Sequence, residues 1–194
     1  MADNLIRAFI AVEVPEGEAK NRIFSFIRAV SESEADLKPV EPQNIHITLR
    51  FLGEVTTAKL ESIKAELNKI AFHAFDVSLQ GVGVFPDYRH INVIWAAIDE
   101  GNIGLVDLYG KINNALGGIG IPPDMRGLSP HITVARVRSG RNKENLSKTI
   151  SRLKDLEFGT FHASSFHLKR STLTSTGPIY QSLLEVAGVQ GPTY

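Results

Sequence analysis

Two short stretches of this chain carry the same four-residue pattern. His46-Ile47-Thr48-Leu49 and His131-Ile132-Thr133-Val134 both read His-x-Thr-x with apolar residues at x, and they lie 131 − 46 = 85 residues apart. The alternation polar, apolar, polar, apolar belongs to a strand with one open and one buried face. Successive side chains on a strand point to opposite faces. His46 and Thr48 therefore share a face, as do His131 and Thr133, while Ile47, Leu49, Ile132 and Val134 point into a core. Unperturbed imidazole titrates near pH ~6.5, so one of two histidines can be free base while the other is charged. One proton can then be removed and another delivered in the same reaction. Threonine hydroxyls can donate to the non-bridging oxygens of a phosphate. If the two strands face each other across a cleft, the set suits metal-free hydrolysis of a strained cyclic phosphate. That reaction needs positioning, charge neutralisation and two proton transfers.

Other chemistries fit these residues less well. A zinc site needs more ligands than one histidine per motif, and the chain has no cysteine, no His-Glu-x-x-His and no carboxylate inside either motif. No Gly-x-Ser-x-Gly elbow marks a serine hydrolase. The other histidines, His73, His90, His162 and His167, show no pattern and read as surface or satisfied core residues. No cofactor is called for.

At 194 residues the default is one domain, here with two lobes that each supply one motif strand. Lys+Arg and Asp+Glu both number 21, so the molecule as a whole does not attract nucleic acid, and any RNA contact has to come from a local basic patch. The lack of cysteine gives no sign of secretion. The N-terminus lacks the pattern of a signal peptide, and no apolar run reaches the ~20 residues of a membrane span. The expected setting is the cytosol, with no obligatory protein partner.

The elements that position the motifs follow in chain order. Leu5 to Val14 reads as a strand, and Glu16 to about Val30 as a helix with Ile23, Phe24, Ile27 and Val30 at helical spacing. Residues 31–40 form a polar connection. The first motif strand runs from about Ile45 to Leu52 and ends at Gly53. Thr56 or Thr57 caps a helix with Leu60, Ile63, Leu67 and Ile70 along one stripe. Residues 75–85 and 91–98 read as strands joined by a loop at 86–90. A third helix spans Ile103 to Leu116, with Ile103 and Val106 among the residues available for burial. A Gly- and Pro-rich linker at 117–123 leads to the second motif strand, about His131 to Val137. A helix at 142–153 follows, then strands at 156–168 and 179–186, with a turn at Gly177-Pro178. Hairpins plus helices indicate α+β, and the repeated motif suggests pseudo-twofold symmetry.

The paired motifs resemble those of the 2H phosphoesterase superfamily. The surroundings are similar to one branch, the RNA 2′,3′-cyclic phosphodiesterases, also called 2′-5′ RNA ligases. Arg7-Ala8-Phe9-Ile10-Ala11-Val12, Leu49-Arg50-Phe51-Leu52-Gly53-Glu54, Gly83-Val84-Phe85-Pro86, Val93-Ile94-Trp95, Ser129-Pro130-His131 and Gly177-Pro178-Ile179-Tyr180 carry the likeness. The resemblance implies a bilobal sandwich of two antiparallel sheets, with outer helices, around a central cleft. It implies RNA ending in a 2′,3′-cyclic phosphate as substrate and a 2′-phosphomonoester as product, with reversible 2′-5′ ligation as a second outcome of the same chemistry. It makes His46 the proton donor to the 3′-oxygen and His131 the acceptor from water. It puts Thr48, Thr133 and Arg136 on the phosphate, with no metal. A different cyclic phosphate, or RNA-end binding without turnover, are the other readings of the same scaffold.

Parity leaves one question open. Arg50, four residues after His46, falls on the open face and is a further phosphate candidate, against a plainer reading as a solvated edge arginine. Arg136, five residues after His131, would turn away, unless the strand bulges near Ala135 or ends there and the side chain curls back. Phe9 could stack on a terminal base. Its plainer reading is a core residue.

Overall fold

The structure is a computed structural model and describes residues 4–99, 102–125, 127–175 and 177–189. Nine strands and four helices alternate along the described chain: β1 (Leu5–Glu13), α1 (Glu18–Ser31), β2 (Leu37–Pro39), β3 (His46–Thr56), α2 (Thr57–Leu67), β4 (Phe75–Asp87), β5 (His90–Ile98), α3 (Asn102–Gly118), β6 (His131–Val137), α4 (Lys143–Arg152), β7 (Glu157–Ala163), β8 (Ser165–Leu173) and β9 (Pro178–Ala187). All named strand pairings are antiparallel. The strand order is β7-β4-β5-β6-β3-β1-β8-β9, with β2 also on β6. The sheet is curled, which gives the expected α+β class.

The two sheets expected from the sequence are two halves of this one sheet. The halves join where β3 meets β6, through the single pair Ile47↔Ile132. Each half contains one motif strand. The halves also exchange strands. β4 follows β3 and α2 in sequence but pairs with β5, and β8 follows β7 directly but pairs with β1. Thus residues 156–168, read from sequence as one strand, form two strands that belong to opposite halves. Alternation reports which face a residue takes and says nothing about a change of partner.

The helices cover one face of the sheet. Ile23, Phe26, Ile27 and Val30 of α1 are buried, and Phe26 meets Phe158 of β7 edge to face at 5.6 Å. Leu60, Ile63 and Leu67 of α2 are buried, as are Leu105, Leu108, Ile112 and Leu116 of α3. Ile103 and Val106 are exposed instead, because the buried stripe of α3 begins at Leu105. Thr56 caps α2, its hydroxyl accepting from the Lys59 amide at 3.2 Å. Gly53 does not end β3. It takes φ 71°, which glycine adopts without cost, and the strand runs on to Thr56. The polar connection contains the short strand β2, whose three residues fall below any periodicity signal. Among the described residues no helix is long and apolar enough to cross a membrane.

Candidate active site

The join between the halves organises the site. Ile47 and Ile132 are fully buried and face each other across β3 and β6. Continuing that antiparallel register by one residue each way sets His46 opposite Thr133 and Thr48 opposite His131. The four polar motif side chains thus form one patch around a local twofold through the isoleucine pair. All four are partly buried.

A matching pair of bulges decides what else reaches this face. Against β1, Ala11 pairs with Thr48 and Ile10 with Arg50, so Leu49 is an extra residue in β3. Against β5, Trp95 pairs with Thr133 and Ile94 with Ala135, so Val134 is an extra residue in β6. Each bulge sits at the fourth motif position and reverses the parity of the residues that follow it, in β3 as far as a second register shift at Leu52. The burial patterns agree. Leu49 and Arg50 are both buried and Phe51 is exposed, while Val134 and Ala135 are both buried and Arg136 is exposed. The open face therefore carries His46, Thr48 and Phe51 from β3, and His131, Thr133 and Arg136 from β6.

This settles the two arginines in opposite ways. Arg136 stands on the open face with both histidines. Arg50 does not, which corrects the parity argument. It is 4% exposed, and its guanidinium donates to Asn113 Oδ1 and to the Pro122 carbonyl, tying β3 to α3 and to the linker after it. The bulge at Leu49 is what turned it inward.

Both imidazoles are held in the same tautomer. His46 Nδ1 donates to the Asn44 carbonyl at 2.7 Å, and His131 Nδ1 donates to the Ser129 carbonyl at 2.8 Å. Because a carbonyl can only accept, Nδ1 carries hydrogen in each ring and Nε2 is the nitrogen left to gain or lose a proton. His46 Nε2 lies 3.0 Å from Thr48 Oγ1. Burial lowers the pKa of His46 from 6.5 to about 4; the bond to Asn44 opposes this, Lys169 lowers it further, Glu13 raises it and His131 lowers it. The unliganded ring is therefore neutral at pH 7. An anionic phosphate arriving beside it favours the charged form.

Aromatic side chains wall the two histidines differently. Phe9 and Tyr180 flank His46, with ring centroids 5.2 and 5.5 Å away. Phe9 is 3% exposed and packs on Phe51 and Tyr180, so it is a core residue under the site rather than a free stacking surface. Phe85 and Trp95 flank His131 at 5.0 and 5.9 Å, and stack on each other at 5.1 Å. The Trp95 ring lies over Gly83 so closely that a Cβ there would sit 2.1 Å from Cζ2. Gly83→Ala is accordingly expected to displace Trp95 and loosen the wall behind His131. Overpacking of this kind costs about 1–3 kcal/mol, and at this chain length each kcal/mol lowers Tm by about 2–4 °C. A thermal melt in which Gly83→Ala matches the parent would show that the ring has room to move.

Several residues on this face were not among the site candidates read from the sequence. Glu13 pairs directly with His46 across β1 and β3. Lys169, 5% exposed, is ion-paired to Glu13. His167, 8% exposed, has Ser165 and Ser182 hydroxyls 3.2 Å from its two ring nitrogens. Tyr180 enters from β9. These residues come from strands far apart in the chain, and only the pairing of β1 with β8 and of β8 with β9 brings them together.

Comparison with known proteins gives the family. The family model described as LigT-like phosphoesterase matches the chain twice, over residues 13–95 and 98–180. The two matches are offset by 98 − 13 = 85 residues, the same spacing as the histidines. An RNA 2′,3′-cyclic phosphodiesterase of Methanocaldococcus jannaschii is 36% identical over 181 residues, 93% of this chain and 99% of that protein. One of Methanothermobacter thermautotrophicus is 34% identical over 180 residues, 92% of this chain and 96% of that protein. A crystal structure of a Thermus thermophilus protein superposes with a TM-score of 0.80 at 27% identity, covering 94% of this chain and 97% of that one. With a duplicated match spanning both motif strands, and relatives this similar over nearly their whole length, the chain belongs to the LigT-like phosphoesterase family.

Proposed function

We propose that this protein hydrolyses RNA ends bearing a 2′,3′-cyclic phosphate to 2′-phosphomonoesters by two-histidine acid–base catalysis. The observation that carries the reading is the pair of imidazoles on one open face, each with Nδ1 tied to a carbonyl and Nε2 left to work. His131 Nε2 takes a proton from water as the water oxygen bonds to phosphorus. The bond from phosphorus to the 3′-oxygen breaks, and His46 Nε2 gives that oxygen its proton. Thr48, Thr133 and Arg136 hold the phosphate and take up its developing charge. With a 5′-hydroxyl in place of water as the attacking group, the same steps join a 2′-5′ linkage, and their reverse cleaves it. No step needs a metal ion.

The relatives' names support RNA as the substrate. So does a local set of cations on a chain with no net charge. Lys38 of β2 lies directly opposite Arg136, and Arg7 and Arg136 both act on Tyr180, opposing the rise in its pKa that burial causes. Such cations are placed to contact backbone phosphates beyond the terminal nucleotide. A cytosolic setting follows from the same reading, as that of an RNA-processing enzyme without disulfides.

The test is a short RNA ending in a 2′,3′-cyclic phosphate, incubated in EDTA, with the product compared against 2′- and 3′-phosphate standards. The expected product is the 2′-phosphate, formed without added metal. A 3′-phosphate would exchange the acid and base roles. Binding without turnover, or turnover restricted to mononucleotide cyclic phosphates, would overturn the substrate assignment.

A further inference from the structure

The backbone around the two histidines is nearly twofold, but the side chains supporting them are not. About the Ile47/Ile132 pair, β1 corresponds to β5 and β8 to β4. Opposite His46 stands Glu13, and opposite His131 stands Ala97. Beside Ala11, the partner of Thr48, lies His167, and beside Trp95, the partner of Thr133, lies Gly83. Beside Phe9, the partner of Phe51, lies Lys169, and beside Val93, the partner of Arg136, lies Phe85. One histidine therefore rests on a glutamate, a lysine and a histidine. The other rests on an alanine, a phenylalanine and a glycine.

The charged side is built rather than incidental. Ala11, fully buried and small, separates Lys169 from Glu13 on the open face, and the lysine stem reaches past it to close the ion pair. Lys169 is 5% exposed, so its charge is poorly screened by solvent. Burial pushes the Glu13 carboxyl up, but the hydrogen bond and charge of Lys169 outweigh it and hold it below the ordinary carboxylate range. The pair is therefore charged at neutral pH, with both signs next to one catalytic imidazole.

We propose that the Glu13–Lys169 ion pair is a positioning device that breaks the symmetry of the site, setting when His46 is charged and so which histidine gives the proton. It rests on the acid–base reading above and acts through His46, without touching substrate. The titratable groups facing His46 are Glu13 from β1, Lys169 and His167 from β8, Tyr180 from β9 and His131 from β6. Of these, Lys169 and Glu13 act in opposite directions, the cation lowering and the carboxylate raising the proton affinity of His46. A pair of this kind can hold a lysine close to the imidazole without leaving a net charge there.

The opposition gives the test its sign. The His46 ring is titrated by NMR in the unliganded protein and compared with the low-pH limb of kcat/KM. Glu13→Gln, which keeps shape, removes the anion and should move both downward. Lys169→Met removes the cation and should move both upward, each by about half a pH unit or more for a charge lost at close range in a poorly screened site. The double variant should lie between the two single variants and above the parent, because Lys169 acts on His46 more strongly than Glu13 does. Lys169→Arg, which keeps the charge, should leave the midpoint near the parent value. A midpoint unmoved in Glu13→Gln, or moved the same way by both single variants, would overturn the proposal. Because the NMR midpoint needs no turnover, it stands or falls separately from the RNA substrate. If Lys169→Met does not fold, Glu13→Gln and Lys169→Arg still decide the matter.

Discussion

Replacing His46 or His131 with alanine is expected to lower kcat by about 10²–10⁴-fold, the usual contribution of a general acid or base. Folding should be almost untouched. Both rings are partly exposed on the open face, and the core beneath them is made by Ile47 and Ile132, which neither substitution alters. The pH profile should change as well as the rate. In the proposed mechanism the productive pair carries one proton. Below the lower limb it takes a second, and in the unliganded enzyme His46, held to about 4, is the group that takes it. Above the upper limb the pair loses its last proton. The limbs belong to the coupled pair in the parent. In His46→Ala the residual activity should lose the upper limb, since the proton donor is gone and His131 must still be free base to accept the proton from water. A His46→Ala or His131→Ala enzyme that kept more than about a tenth of the parent kcat would remove the two-histidine mechanism, whatever its pH profile.

What could be read from the sequence was the part written locally. The His-x-Thr-x repeat shows which residues share a face, because alternation and strand geometry have the same period. It set His46 with Thr48, and His131 with Thr133, on one face of each strand before any pairing was known, and the register around Ile47 and Ile132 then brings the two pairs side by side in one sheet. The residues that distinguish one histidine from the other could not be read in this way. Glu13, Lys169 and His167 lie 33, 123 and 121 positions from His46, and nothing local links them. They meet because β8 crosses to the half that contains β1, a topological event hidden inside an apparently continuous strand at 156–168. His167 even reads as an ordinary histidine, and it becomes part of a network only through the two serines facing its ring.

Parity failed at the same step in both motifs, and for one reason. A bulge adds a residue without changing composition, so Leu49 and Val134 look like any apolar strand residue. Counting straight through them put Arg50 on the open face and Arg136 away from it, and the structure shows the reverse. The consistent clue is the pair of adjacent inward residues, Leu49-Arg50 and Val134-Ala135, which only the repeat makes visible. In the second copy both are apolar. In the first, the arginine disguised the pattern.

The bulges lead to an expected contrast between two arginines in equivalent strands. Arg136→Met should lower kcat/KM by about 10–100-fold, the equivalent of losing a hydrogen bond to a charged group worth roughly 1.5–3 kcal/mol. Its side chain is exposed, so Tm should barely move. Arg50→Met should do the opposite. It leaves Asn113 Oδ1 and the Pro122 carbonyl without their buried donor, at roughly 1–3 kcal/mol for each acceptor left unpaired. Tm should fall, by about 2–4 °C for each kcal/mol lost, while the activity of the folded fraction persists, because the Arg50 guanidinium is buried against α3 and the linker after it. The two variants together test the register rather than either residue alone. If Arg50→Met abolished turnover at full stability while Arg136→Met left turnover intact, the bulges at Leu49 and Val134 would be misplaced. The phosphate would then lie against the strand face that simple alternation had indicated.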